Sequence, residues 1–192
     1  MNYQKRIETY LLRVKTAIES ISSDDLSTLI NVLEKARMEG QYVFIMGNGG
    51  SAATASHFCC DFNKGISEFQ EKKNRFICLN DNIPTMMAYA NDRHYDQIFV
   101  GPLSNFLRPG DIVIGISASG NSANVVNAIE YANAHGATTV GLTGFDGGKV
   151  KQLCKINVNI PIEDMQITED LHMVLDHCMM QVLSSDETQM PS

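Results

Sequence analysis

Two segments of the 192-residue chain hold side chains that bind metals or move protons. In FIMGNGGSAATASHFCCDF, residues 44–62, His57 and Asp61 stand four apart, so on a helix they share one face. In TEDLHMVLDH, residues 168–177, Glu169, Asp170, His172, Asp176 and His177 crowd one helical segment. Two histidines and two carboxylates brought together from these segments would ligate a divalent metal or serve as an acid–base set. The same spacing also suits polar residues making solvated pairs on helix faces. What ligand lies beside them decides between the two.

Two loops suggest that ligand. GNGGS, residues 47–51, joins an apolar run to a helical pattern, an arrangement that turns backbone N–H groups into a cleft where an anion can sit. Gly47, Gly49 and Gly50 permit the turn, and Ser51 adds a hydroxyl at the capping position. The pattern is neither G-x-G-x-x-G nor the lysine-bearing phosphate loop. By itself it reads equally well as a plain strand-to-helix turn. The second loop, GISASGNSANV at 115–125, repeats the arrangement with Ser117, Ser119 and Ser122 around Gly120. Three hydroxyls and helix-terminal amides suit a phosphate monoester, whereas a serine-rich capping turn is the structural alternative.

The elements that must position these groups are legible as alternation. Apolar runs at YVFIM, RFICL, DIVIGIS, TTVGLTG and INVNIP are separated by segments of helical patterning, which predicts a parallel sheet with helices on both faces. In such a sheet both loops lie at the carboxyl ends of strands, where ligands bind. Two helices precede the first strand, one through Ile7, Leu11 and Ile18, the other starting after a cap at Ser23 or Asp24 and ending near Met38. They cover one face of the sheet or pack against another copy of the chain. One domain is expected over residues 1–183, with a polar, disordered tail at 184–192.

Composition narrows the partners. A formal charge of −7 offers no broad cationic surface, so nucleic acid is not an expected partner. The N-terminal segment has neither the leader pattern nor the apolar length of a membrane helix, so a cytoplasmic protein is expected. Five cysteines without metal-ligand spacing read as buried free thiols. His94, His135 and Lys64 read as structural or solvated, His135 beside the carbonyls of a helix end.

Taken together, GNGGS with HF after it, AND at 90–92, ISASGNSANV, GLTGFDGG and a late helix bearing histidines resemble the sugar isomerase (SIS) domain family, in its phosphoheptose isomerase group, over nearly the whole chain. That resemblance implies an α/β, flavodoxin-like three-layer sandwich with a five-stranded parallel sheet and a homotetramer with sites at subunit contacts. It implies a phosphosugar isomerase acting through an enediol on sedoheptulose 7-phosphate, with one divalent ion, zinc, per subunit. By position it makes Asn48, Gly49, Gly50, Ser117, Ala118, Ser119 and Ser122 contacts to phosphate and sugar, joined by Asn91, Asp92 and Glu169. Metal ligands would be His57, Asp61, Glu169 and His177, and the catalytic groups Asp61, Glu169 and His177; His172 also stands where many members have histidine. Two positions depart from the pattern: the group typically carries glutamate at 61, where this chain has the shorter aspartate, and glutamine at 169, where it has glutamate. If Asp61 falls short of the substrate carbon, Glu169 becomes the alternative base. Eight residues, about 12 Å of helical rise, separate Glu169 from His177, which is long for two ligands of one ion. A phosphosugar-binding regulator that keeps the loops without the chemistry is the rival reading.

Overall fold

All five apolar runs hold strands; those at 43–46 and 112–117 are buried at every residue, whereas the one at 156–160 is only partly buried and carries two asparagines. The computed structural model describes residues 3–184. In chain order the elements are α1 (Tyr3–Ile18), α2 (Ser23–Glu39), β1 (Val43–Met46), α3 (Gly50–Cys60), β2 (Phe76–Cys78), α4 (Ile83–Asp92), α5 (Val100–Phe106), β3 (Ile112–Ser117), α6 (Ala123–Ala134), β4 (Thr138–Gly144), α7 (Gly148–Leu153), β5 (Ile156–Ile160) and α8 (Met165–Ser184). The sheet is parallel throughout in the order β2-β1-β3-β4-β5, with Ile45 opposite both Cys78 and Ile114. This is the flavodoxin-like order, and it reverses direction beside β1.

Alternation along the strands splits the core in two. Val43, Ile45, Ile112 and Ile114 face a layer of α2, α3 and α8, whereas Phe44, Met46 and Val113 face α5, α6 and α7. Because β1 feeds α3 on one face and β3 feeds α6 on the other, the two loops diverge from adjacent strands and open a crevice between them. β2 is the short edge strand, and the chain after α3 covers it. There α3 runs into a π-helical turn, Asp61–Ile66, whose Asn63 side chain both donates to Phe76 O and accepts from Phe76 N, each at 2.9 Å. Phe58 and Phe62, both fully buried, stack at 6.0 Å, and Phe62 stacks on Phe76 at 4.3 Å. These rings fix the stretch that carries Asp61, and truncating one would cost about 3–5 kcal/mol.

α2 packs on the sheet through Leu26, Leu29, Leu33 and Ala36. Its cap is Ser22, whose hydroxyl accepts from Asp25 N, one residue before the expected start. α1 lies farther out, tied to the α8 region by Tyr10–Asp170 and by Arg13–Asp164 at 2.8 Å. Only Ala17 of α1 is fully buried, and Ile7, Leu11, Leu12 and Ile18 stay exposed. Within one protomer, then, the second leading helix covers the sheet and the first leaves apolar residues uncovered. Ser184 closes α8, and residues 185–192, most of the expected tail, lie outside the described residues. Among the described residues no helix is long and apolar enough to cross a membrane. His135 ends α6, with its ring nitrogen on Tyr131 O at 2.8 Å, and Lys64 pairs with Glu68 on the surface.

His172 is fully buried under the sheet edge, its Nε2 3.3 Å from Thr143 O and its Nδ1 unpaired. Burial pushes its ring down from the usual 6.5 to about 4. Between those values the unfolded chain binds the extra proton, so stability is full above about pH 6.5 and falls as pH drops toward 4. The raised carboxyl of Asp176 gives the opposite slope in the same window, so the His172 loss, of order 2–4 kcal/mol when complete, is read as a difference: in urea titrations from pH 7 to 5 the wild type is expected to lose stability relative to His172→Leu. A stability difference that does not change with pH would remove the assignment.

Candidate functional site

The glycine corner and the serine loop meet. Asn48, Ser51, Ile116, Ser117, Ala118, Ser119, Ser122, Met165 and Glu169 line one cleft of about 150 Å³ at the carboxyl edge of the sheet. α2 and α4 are capped by the side chains of Ser22 and Asn82, but α3 and α6, which open onto the cleft, have no side-chain cap. Apart from Val125 N, which donates to Asn124 Oδ1 at 3.0 Å, their first-turn amides therefore retain capacity for an anion. The cap position of α3 is Gly49, so Ser51 sits inside the first turn, buried, rather than at the cap as expected. Ser117 Oγ and Ser122 Oγ lie 3.1 Å apart, and Ser119 Oγ accepts from Asn121 N at 3.3 Å.

Several residues brace this cleft. The Asn48 side chain donates to Asn124 Oδ1 at 2.9 Å and accepts from Asn124 Nδ2 at 2.8 Å and from Tyr95 Oη at 3.0 Å. Its amide thus ties the two loops together. Asn80 does the same for the corner, bonding both N–H and C=O of Gly47. The serine loop turns at Gly120, φ +64°, where a Cβ would strike Gly147 O; Val150 N closes the contact on Gly120 O at 2.9 Å. The GFDGG segment is therefore the buttress of the serine loop. Asn80, Tyr95 and Asn124 escaped the sequence reading because an isolated amide or phenol in a loop carries no signal of its partner.

Two turns down α3 lies a second group. His57 Nε2 is 3.1 Å from His177 Nε2 and 3.6 Å from Asp61 Oδ2, which is 3.8 Å from His177 Nε2. Asp176 joins them: one donor atom from each of the four residues lies within 4.8 Å of the others. Ligands about 2.0–2.1 Å from a tetrahedral zinc are about 3.3 Å apart, so the two imidazole nitrogens already stand at that spacing. The histidines are exposed, whereas Asp61 and Asp176 form a buried floor. Burial first, and then the Asp61 carboxylate, push the Asp176 carboxyl up from the ordinary range to about 8.

The site residues expected from sequence thus separate into three places. Asn48, Ser51, Ser117, Ala118, Ser119, Ser122 and Glu169 share the cleft, with Gly49 and Gly50 at the start of α3. His57, Asp61 and His177 come together in the second group. Glu169 does not join them; it lies against Gly50, where a Cβ would fall on its carboxylate. The reason is helical rise, since Asp176 and His177 follow Glu169 by seven and eight residues, about 10–12 Å. Asn91 and Asp92 end α4, bonded to each other at 2.9 Å, and neither lines the cleft; Asp92 borders a separate depression with Tyr89 and Arg93.

A two-layered site of this kind, on this topology, has relatives. The sequence pattern of the SIS domain matches residues 2–144. The chain belongs to the SIS domain family. It stands in the phosphoheptose isomerase group: the phosphoheptose isomerase of Aliarcobacter butzleri is 33% identical over 184 residues, 96% of this chain and 93% of that protein. The structure of the phosphoheptose isomerase from Neisseria gonorrhoeae superposes with a TM-score of 0.87 at 28% identity, covering 96% of this chain and all of that one. The Vibrio vulnificus NanR protein, solved with ManNAc-6P, shares the fold alone, at 13% identity and a TM-score of 0.67 over 95% of this chain and 62% of that one.

The cleft yields a direct test. Replacing Ser119 by Ala is expected to weaken binding of inorganic phosphate by roughly 1–3 kcal/mol, the loss of a donor to a charged group, measured by calorimetry. Unchanged affinity would place the anion elsewhere.

Proposed function

We propose that the chain is an aldose–ketose isomerase of a phosphorylated heptose, interconverting sedoheptulose 7-phosphate and D-glycero-D-manno-heptose 7-phosphate through an enediol. The observation that carries this is the pairing of an uncapped anion cleft with a histidine–carboxylate group about two helical turns away. A phosphosugar has the same two ends, a terminal phosphate and a reacting carbonyl several ångströms from it. The uncapped amides of α6 and the hydroxyls of Ser117, Ser119 and Ser122 suit the phosphate. Glu169 already holds a carboxylate over the first turn of α3, so the phosphate dianion is directed toward the serine loop and away from it. Glu169 then faces the sugar chain between the two ends.

Isomerisation removes a proton from the carbon next to the carbonyl, moves one between the two oxygens and returns a proton to the other carbon. Glu169 and Asp61 are the alternative bases for carbon, Asp61 only where its carboxylate is not held by an ion, and the exposed imidazoles of His177 and His57 serve the oxygen transfers on the same condition. A divalent ion, zinc by the donor types, would stabilise the negative oxygens of the enediol, and His57, Asp61 and His177 supply ligands for it. His57→Ala and His177→Ala are each expected to lower turnover of sedoheptulose 7-phosphate at least about a hundredfold with the fold intact. Asp61→Asn and Glu169→Gln keep size and remove basicity, so at equal zinc occupancy the larger loss of turnover identifies the base. No turnover by the wild type, with phosphosugar still bound, would favour the regulator reading instead.

The assembly proposed is a homotetramer in the cytoplasm. Supporting it are two uncovered apolar surfaces, Ile7, Leu11, Leu12 and Ile18 on α1 and Ile83 and Met87 on α4, too many exposed large side chains to leave in water. Five free cysteines suit a reducing compartment. Light scattering at micromolar concentration is expected to give four times the monomer mass; the mass of one chain would refute the assembly.

A further inference from the structure

Asp176 is a carboxylate without a partner. It lies in the buried stripe of α8 among Leu171, Leu175 and Met179, its side chain fully shielded, and neither oxygen accepts a hydrogen bond. Buried carboxyl groups are almost always satisfied, and one that is not marks strain, chemistry or an ion. This one is aimed at the group formed by His57, Asp61 and His177, where its oxygen lies within 4.8 Å of their donor atoms. Glu169, the residue the family pattern would put in that place, is spent against the first turn of α3.

We infer that Asp176 is the fourth ligand of a divalent metal ion held with His57, Asp61 and His177, and that Glu169 is thereby left to the substrate. The inference rests on the metal-assisted isomerase reading above. The two departures from the family pattern then belong together. An aspartate at 61 draws its carboxylate back by one methylene toward the buried floor, which is where Asp176 waits on the facing helix. Two neutral imidazoles and two carboxylates balance a dication, and both hard oxygen and borderline nitrogen donors suit zinc. At the other end, glutamate in place of glutamine adds the basic group that a ligand role would have blocked.

The test is metal affinity, read without turnover. Wild type, Asp176→Leu, Asp176→Asn and Glu169→Gln are stripped with chelator, and zinc affinity is measured by competition with a chromogenic chelator, with cobalt absorption reporting the ligand field. Asp176→Leu is expected to weaken zinc at least about a hundredfold and to change the cobalt bands, with Asp176→Asn intermediate. Glu169→Gln should stay within about threefold of wild type in affinity while losing turnover. Metal-free Asp176→Leu should melt above metal-free wild type, since an unpaired buried carboxyl group is gone, and both Asp176 variants should gain less from added zinc. A merely structural aspartate would give the opposite order of melting. If Asp176→Leu does not fold, Asp176→Asn carries the comparison. Both Asp176 variants binding zinc as wild type does, or Glu169→Gln losing it, overturns the assignment, as does a wild type that binds no zinc. A wild type showing this metal pattern but no isomerase activity keeps the assignment and removes the proposed reaction.

Discussion

α3 and α8 lie side by side on one face of the sheet, and their alignment sets what the site can contain. In the first turn of α3, Gly50 is bare because Glu169 of α8 rests on it. Seven residues further along α3, His57 meets His177, eight residues beyond Glu169. Advances of seven and eight residues along the two helices turn one packing contact into two chemical stations, about 10–12 Å apart. The spacing is held by a rigid element at each side rather than by loops, which is the condition for placing reacting groups to within fractions of an ångström.

That alignment rests on the aromatic stack beneath it and on the topology around it. Phe58 and Phe62 bury the underside of α3 and its π-helical continuation against Phe76, so Asp61 emerges at a fixed angle. The strand order places the serine loop beside the glycine corner, and the reciprocal Asn48–Asn124 amide pair holds the two at one separation. Asn48, expected to contact phosphate and sugar, lines the cleft, and its side-chain amide also joins Asn124 and Tyr95 and so sets the spacing of the loops.

How much of this the sequence carries follows from what kind of signal each part leaves. The five strands, their parallel pairing and the convergence of GNGGS with ISASGNS are written in periodicity and glycine placement, which are local and redundant. The pairing of His57 with Asp61 is local too, being one helical turn. The choice between Glu169 and Asp176 is not. Both are acidic residues on one helix, and only the partner helix decides which reaches His57. Yet a cue was present: Leu171, Leu175 and Met179 define the inward stripe of α8, and Asp176 follows Leu175 into it, whereas Glu169 lies to the side. A carboxylate at a core position of an amphipathic helix contradicts the pattern around it, and such contradictions concentrate at functional sites.

His172 shows the other resolution of the same contradiction. It too is a titratable residue on the inward stripe, fully buried, but burial holds its ring neutral and Thr143 O accepts its one bond, so it has the chemistry of a core residue. Asp176, one turn later, has no donor at all and a second carboxylate beside it. A neutral imidazole has no charge to compensate, so with one nitrogen paired what remains is the cost of a single unsatisfied acceptor. A carboxyl group pressed against another carboxylate must keep its proton or gain a cation, and the two imidazole nitrogens turned toward the same point make the cation the more complete solution. The inward stripe of α8 thus carries one titratable residue that the core absorbs and one that a bound cation completes.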